Sequence, residues 1–341
     1  MNKTIANEPA SIILGDIATD FWNKLPKPFY CLAPMADVTD AAFRRIIAKY
    51  SRHGEEGGGP DIFWTEFVSA DGLAHEIARE KLLIDFKYTE EEHPIVAQIF
   101  GSRTENIKEA AKLISELGFD GIDINMGCPD KSIERQGAGA SMIKTPEKVH
   151  EIISALREGA SNLPISVKTR IGYNKIEIDK WIPVLLKENL SALTVHLRTR
   201  KEMSLVPAHW DLMKEIVALR DKISPETLII GNGDVIDLDD AIKKVEETGC
   251  DGVMLGKAIF GNPWLFDKDK KEVTAPEKLR VLVEHTKLFE EILGGHKNFA
   301  IMKKHYKAYV NGFDGAKELR MKLMDAKNSL EIENLIEDFL R

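Results

Sequence analysis

The chain has 341 residues, 43 % of them hydrophobic and 30 % charged, with a formal net charge of −8. That balance supports a packed core and excludes wholesale disorder and a uniformly basic nucleic-acid coat, though not a local basic patch. Three widely spaced cysteines without a CxxC pair exclude a disulfide framework and a cysteine-rich zinc site, so no metal is expected.

In chain order, residues 1–28 read as an N-terminal arm, or as a cover for the bottom of a barrel. They carry no basic stretch leading into a long apolar core, and no run approaches a membrane span. A cytoplasmic protein with no membrane partner is the expectation, and a monomer. Eight short apolar runs follow, at 29–34, 61–66, 95–100, 121–125, 165–169, 192–196, 228–231 and 252–255. They are apolar along most of their length rather than alternating, as parallel strands covered on both faces are. Helical periodicity separates them at 40–50, 104–117, 145–159, 178–188, 209–221 and 237–248, and less regularly at 69–85. Thr145 before Pro146 and Glu147 predicts a capped helix start. Gly118 and Gly249 predict glycine-capped helix ends.

Eight βα units over residues 29–270 predict an α/β fold of the (β/α)8 TIM-barrel class. The competing doubly wound sheet wants a glycine-rich turn after its first strand, and Ala33-Pro34-Met35-Ala36-Asp37 has no glycine. Residues 51–60, with three consecutive glycines, read as a flexible loop. Past residue 270 the strand signals stop. Segments 276–293, 301–311, 316–327 and 332–340 read as helices of a small all-helical C-terminal domain over 271–341.

In such a barrel the reactive groups stand at the C-terminal ends of the strands. Those positions hold Met35, Glu66, Gln98, Asn125 with Cys128, Lys168 with Arg170, His196 with Arg198, Asn232-Gly233-Asp234, and Gly256-Lys257. One polar residue there is ordinary; a whole ring of them predicts an active site. The glycines after the seventh and eighth strands predict a phosphate cradle, with tight closure turns as the plain alternative. Lys168 lies in an otherwise apolar strand and needs an anionic partner. The N1–C2 carbonyl edge of a reduced flavin would serve, and an ion pair with Glu66 is the plain alternative. Cys128 follows Gly127 and precedes Pro129 just past a strand, where it suits either a nucleophile beside a base or a proton-donating thiol. Cys31 and Cys250 read as buried hydrophobes.

Several segments together resemble the tRNA-dihydrouridine synthases, with the bacterial B type the nearest in flavour. They are Ala33 to Asp40 with Phe43-Arg44, Asp123-Ile124-Asn125-Met126-Gly127-Cys128-Pro129, Lys168 to Gly172, His196-Leu197-Arg198-Thr199-Arg200, Asn232-Gly233-Asp234-Val235, and Gly261-Asn262-Pro263-Trp264. Lys304-His305-Tyr306 and Gly312 to Ala316 resemble the family's helical domain. The resemblance implies an FMN enzyme that takes electrons from NADPH and reduces the C5–C6 bond of uridine in tRNA. Hydride passes from flavin N5 to C6, and Cys128 protonates C5. It further implies that Pro34, Met35 and Ala36 line the flavin, Gln98 bonds its ring, Lys168 meets its N1/O2 edge, and His196 lies close by. Asn232, Gly233, Asp234, Gly256 and Lys257 would hold the phosphate. Asn125 would face the substrate base, with Arg198 in a substrate-contacting loop. Lys257 departs from the family's usual arginine, giving a point charge in place of a planar fork. Leu197 and Val206-Pro207 also depart, so that loop's shape is open.

The acidic chain must still meet RNA. Between Lys297 and Lys322, seven basic residues (297, 303, 304, 307, 317, 320, 322) oppose only Asp314 and Glu318. This predicts a basic helical face that includes Lys303 and Lys304, suited to phosphates. Lys131 and Arg135, just past Cys128, are candidates to guide a uridine out of its stack. Two rivals remain. A free-pyrimidine FMN barrel related to dihydroorotate dehydrogenase would have no use for a basic helical domain. An RNA-binding protein that has lost catalysis would have no use for Cys128 and Lys168.

Overall fold

The computed structural model describes residues 21–270 and 272–341. The expected arm therefore lies mostly outside the described residues. In chain order the elements are β1 (Phe29–Leu32), α1 (Ala41–Tyr50), β2 (Phe63–Trp64), β3 (Val68–Ser69), α2 (Ala70–Ala74), α3 (Glu76–Leu82), β4 (Ile95–Phe100), α4 (Thr104–Glu116), β5 (Gly121–Met126), α5 (Lys131–Glu134), α6 (Val149–Gly159), β6 (Ile165–Arg170), α7 (Ile178–Leu186), β7 (Ala192–His196), α8 (Met213–Ile223), β8 (Leu228–Asn232), α9 (Leu238–Thr248) and β9 (Gly252–Leu255). Four helices follow: α10 (Ala275–Leu293), α11 (Lys303–Tyr309), α12 (Ala316–Asp325) and α13 (Ser329–Leu340).

The strands run parallel in the order β1-β9-β8-β7-β6-β5-β4-β2, and a bridge between Cys31 and Ile62 brings β1 back to β2. This is the expected eight-stranded barrel. Its second strand is shorter than the apolar run suggests. After Trp64 the chain leaves the ladder, and it rejoins β4 only at Val68–Ser69. The detour turns Glu66 toward the backbone amide of Asp37 at the mouth. Inside the barrel, Phe29, Cys31, Trp64, Val96, Ile230 and Met254 pack together, and Trp22 from the turn Phe21–Lys24 closes the bottom against Phe29 and Trp64.

Local signals mostly act as read. Asp40 caps α1 by accepting the amide of Phe43, and Gly249 ends α9 in the left-handed conformation. The Thr145 side chain makes no cap bond. Pro146 instead opens a 3-10 turn, Pro146–Lys148, ahead of α6.

The helical domain has its own core, with Leu279, Leu282, Phe289, Tyr306, Leu323 and Ile336 among its members. That core extends onto Ala41, Ala42 and Ile46 of α1, so the domain sits on the barrel's first helix. His285 and His305 are fully buried there, with ring centroids 4.7 Å apart and Phe43 at 5.4 and 5.0 Å. Their ring nitrogens have no hydrogen-bond partner among the described residues. Polar ties reinforce the contact: Tyr50 donates to Glu284 (2.6 Å), and Lys297 reaches Glu66 (2.5 Å) and Asp85 (2.6 Å). No described helix is long and apolar enough to cross a membrane.

Candidate active site

A cleft of ≈ 230 Å³ opens at the C-terminal ends of the strands, lined by Ala33, Pro34 and Met35 and by Asn232, Gly233, Asp234, Gly256 and Lys257. Lys168, His196 and Arg198 also line it, with Ser204, Val235 and Met254, which the sequence did not single out. Most of the residues expected around a flavin are thus brought together. Ala36 and Gln98 are not among the lining residues.

Lys168 sits at this cleft with its Nζ 3.2 Å from Oδ1 of Asn232. Burial and the neighbouring Arg170 push its pKa down to about 8, while Asp123 pulls the other way. Glu66 is not its partner. That carboxylate is held by Lys297 and by the amide of Asp37, 231 residues away from one and 29 from the other. Asn232 donates to the carbonyl of Met254 (2.8 Å), which fixes which way its oxygen faces Lys168. His196 is half-buried beside Lys168, Arg170, Arg198 and Lys257, and desolvation with that surrounding positive charge holds it neutral, well below its usual pKa. Its Nε2 accepts from Arg198 (3.1 Å).

The glycine turns fit a phosphate group. Among the described residues, the backbone amides of Gly233, Asp234 and Val235 donate to no protein acceptor, which leaves a cluster of free donors beside the exposed Lys257. Gly233 has φ +126, and a Cβ there would come within 2.9 Å of Ala208 and 3.2 Å of His196. Only glycine fits. The Asp234 carboxylate would repel a phosphate were it free. Arg198 and the amide of Ala208 (2.9 Å) hold it, and the Arg198 hydrogen bond lowers its pKa.

Arg198 takes part in the same geometry. Its side chain is 4 % exposed and is spent on Asp234, on His196 and on the carbonyl of Val206 (2.6 Å). It braces the loop after β7. Asn125 is engaged too: its oxygen accepts the amides of Gly127 (3.1 Å) and Cys128 (2.8 Å), and its nitrogen donates to Gln98 (3.0 Å). The side chain faces inward and holds the cysteine loop.

Cys128 is half-buried against Phe67, Phe100, Ile133 and Ala138. Burial pushes its thiol pKa up, with Arg170 and Lys168 opposing weakly. A thiol that stays protonated suits a proton donor better than a nucleophile. Its carbonyl accepts the amide of Ala140 (2.9 Å), a close approach that Gly139 permits: with φ +60, a Cβ there would lie 2.7 Å from that oxygen. Arg170, named in the sequence but given no role, donates to the carbonyls of Gly127 (2.7 Å), Thr199 (3.1 Å) and Met203 (3.0 Å). One buried guanidinium therefore ties the loops after β5 and β7 together. Lys131 and Arg135 are exposed beside Cys128.

The family model described as "Dihydrouridine synthase (Dus)" matches residues 31–341. The chain belongs to the dihydrouridine synthase family. Among curated relatives of this synthase, "Probable tRNA-dihydrouridine synthase 2" of Bacillus subtilis is 41 % identical over 324 residues, covering 94 % of this chain and 97 % of that one. "Probable tRNA-dihydrouridine synthase" of Staphylococcus aureus (strain Mu50) is 40 % identical over 322 residues, covering 94 % and 95 %. Among solved structures, morphinone reductase superposes with a TM-score of 0.50 at 13 % identity, covering 72 % of the synthase and 87 % of the reductase, a likeness of fold.

The synthase's helical domain reaches the mouth. Lys304 lies 3.9 Å from Asp37, and Lys303 is half-buried beside it. The basic face is smaller than its sequence suggests. Lys297 is only 12 % exposed and locked between two carboxylates, and Arg320 donates to the carbonyl of Val310 (2.6 Å).

Proposed function

We propose that this synthase reduces uridine in tRNA to 5,6-dihydrouridine, with FMN in the cleft and NADPH as the reductant. The observation that carries the reading is a cleft at the barrel mouth lined by free glycine-turn amides and cations, with a thiol held protonated just past β5, outside that lining. The name carried by both relatives supports tRNA as the substrate.

When bound, FMN supplies the hydride that uridine C6 accepts. The chain's own residues do the rest. The amides of Gly233, Asp234 and Val235, with Gly256 and Lys257, would hold the phosphate, and Pro34 and Met35 line the same cleft. Lys168, steered by Asn232, sets a cation at the cleft where the reduced ring is negative. Cys128 keeps its proton at neutral pH and delivers it to C5, a contribution of roughly 10²–10⁴-fold for a positioned general acid. The thiolate left behind faces Arg170 and Lys168 and regains a proton from solvent. A base in folded RNA must leave its stack to reach this mouth. Lys131, Arg135, Lys303 and Lys304 are the cations placed to meet its backbone.

Purified protein incubated with NADPH and unmodified tRNA should yield dihydrouridine by mass spectrometry. In single turnover, Cys128→Ala should take up electrons from NADPH at near wild-type rate but lose them to tRNA about 10²–10⁴-fold more slowly. Turnover of a free pyrimidine without any change in tRNA would overturn the substrate. Wild-type electron loss in the alanine variant would overturn the role of Cys128.

A further inference from the structure

The loops after β6, β7 and β8 carry large apolar side chains that stand outside the hydrophobic cores of the described residues. Leu205 is 85 % exposed and Ile236 70 %, and Ile176 and Met203 are exposed as well. One bare leucine is ordinary. These four occupy three adjacent loops at the C-terminal end of the barrel, and two of them adjoin the cleft. Ser204 and Val235 line it, and in each case the next residue, Leu205 or Ile236, is left in solvent.

Leu205 is also held still. Arg198 donates to the carbonyl of Val206 on one side (2.6 Å), and Arg170 to that of Met203 on the other (3.0 Å). The Leu205 amide donates to the carbonyl of Glu202 (2.9 Å). The Glu202 carboxylate is fixed in turn by the amide of Thr199 (2.7 Å) and by His209 (3.0 Å). Two buried guanidiniums and a carboxylate thus stiffen a loop that displays a bare leucine. Holding that side chain in water gains the fold nothing. An apolar group kept rigid in solvent beside a cleft marks a contact surface.

Charge narrows the partner. Lys201 on the same loop and Lys175 on the β6 loop are exposed. The two loops are tied together, the amides of Arg200 and Lys201 donating to the carbonyls of Gly172 and Tyr173 (both 2.9 Å). Cations flanking an apolar tip match a strand of nucleic acid, which offers phosphates and flat base faces side by side.

We propose that Leu205 is a wedge that enters the gap a uridine leaves in the RNA stack and keeps the displaced base at the cleft. The inference rests on the reading of RNA as the substrate. Taking a base out of its stack is costly, and proteins that open a stack insert leucine, isoleucine, methionine or phenylalanine into it. A leucine already bare and rigid needs no rearrangement to do so.

The test separates wedging from binding. Leu205→Ala, at an exposed position, should fold as wild type and take up electrons from NADPH at an unchanged rate. In single turnover it should lose them to saturating tRNA about tenfold more slowly, while half-saturation by tRNA moves by less than about threefold. Leu205→Met should restore the rate. Leu205→Lys, which adds a phosphate contact without apolar bulk, should not. Leu205→Trp gives a readout independent of turnover: its added fluorescence should be quenched by unmodified tRNA, whose bases stack on the indole, and not by heparin, a polyanion without bases. A full rate in Leu205→Ala, recovery by lysine, or equal quenching by the two polyanions overturns the wedge. So does a wild-type dimer that Leu205→Lys dissociates in sedimentation, which would give the face to a second copy of the chain. If tRNA alone quenches Leu205→Trp but wild type forms no dihydrouridine, the substrate reading falls and the base contact stands. If wild type forms dihydrouridine and Leu205→Ala keeps pace with it, the wedge falls alone.

Discussion

Replacing Lys297 with methionine would remove the one cation placed between Glu66 and Asp85, at 2.5 and 2.6 Å. Glu66 is 6 % exposed, and burial already lifts its pKa to about 6 although Lys297 pulls it down. Stripping a buried pair of one partner costs about 3–5 kcal/mol. A stranded carboxyl has an escape, however: it can take up a proton. Relative to the wild-type group at about 6, that escape costs about 1.4 kcal/mol at pH 7 and about 0.1 kcal/mol at pH 5. The loss of stability in Lys297→Met should therefore be about 1.4 kcal/mol at pH 7 and nearly vanish at pH 5. Urea unfolding of both proteins at the two pH values measures it. A loss below about 0.5 kcal/mol at pH 7, or one of equal size at both pH values, would refute the account of Lys297 as a buried strut.

The remaining expectations concern the site, the basic face and the buried imidazoles. Lys168→Met should lower the reduction potential of the bound flavin, and a wild-type potential would remove Lys168 from the N1/O2 edge. Lys303, Lys304 and Lys307 changed together to glutamate should weaken tRNA binding and flatten its salt dependence while leaving flavin content alone; affinity equal to wild type at every salt concentration would show that the face is idle. His305 is held neutral in the folded state, its pKa pushed from 6.5 down to about 3 by burial, and His285 is shifted the same way. Above pH 6.5 neither ring affects stability. Below it only the unfolded chain takes up protons, so stability should fall as the pH drops from 6.5 toward 3, by on the order of 1 kcal/mol per pH unit for each ring. The double variant His285→Phe/His305→Phe should flatten that slope, and an unaltered acid profile would mean the rings are already charged or exposed.

What could be read from sequence was what local pattern determines. The continuous apolar runs gave the strands, and the polar residues closing them gave the ring of groups around the cleft. Pairing over long distances was not legible. Nothing near Lys297 announces that Glu66, 231 residues earlier, will hold it, so it counted toward a solvent-facing patch. The tie between Arg198 and Asp234 was hidden because Asp234 arrives on another strand's loop. Asn125 stood at a strand end, and nothing local shows that the neighbouring strand supplies Gln98 as its partner. The Thr145 hydroxyl illustrates a smaller limit: the proline gave the start of the turn, but the 3-10 geometry left the cap unmade.

The bridge between Cys31 and Ile62 has a consequence for the order in which the molecule is completed. It is one residue pair, whereas every other joint of the barrel has at least two. The chain between β1 and β2 is α1, and α1 is the helix on which the C-terminal core rests. The cover for the weakest joint is thus translated only after all eight barrel strands. Until α10 to α13 dock, a nascent barrel carries an unclasped seam with the apolar face of α1 bare, a surface for a chaperone to hold. In the finished protein, opening the seam and undocking the helices become one cooperative event, so native-state exchange should protect β1, α1 and α10 as a single unit.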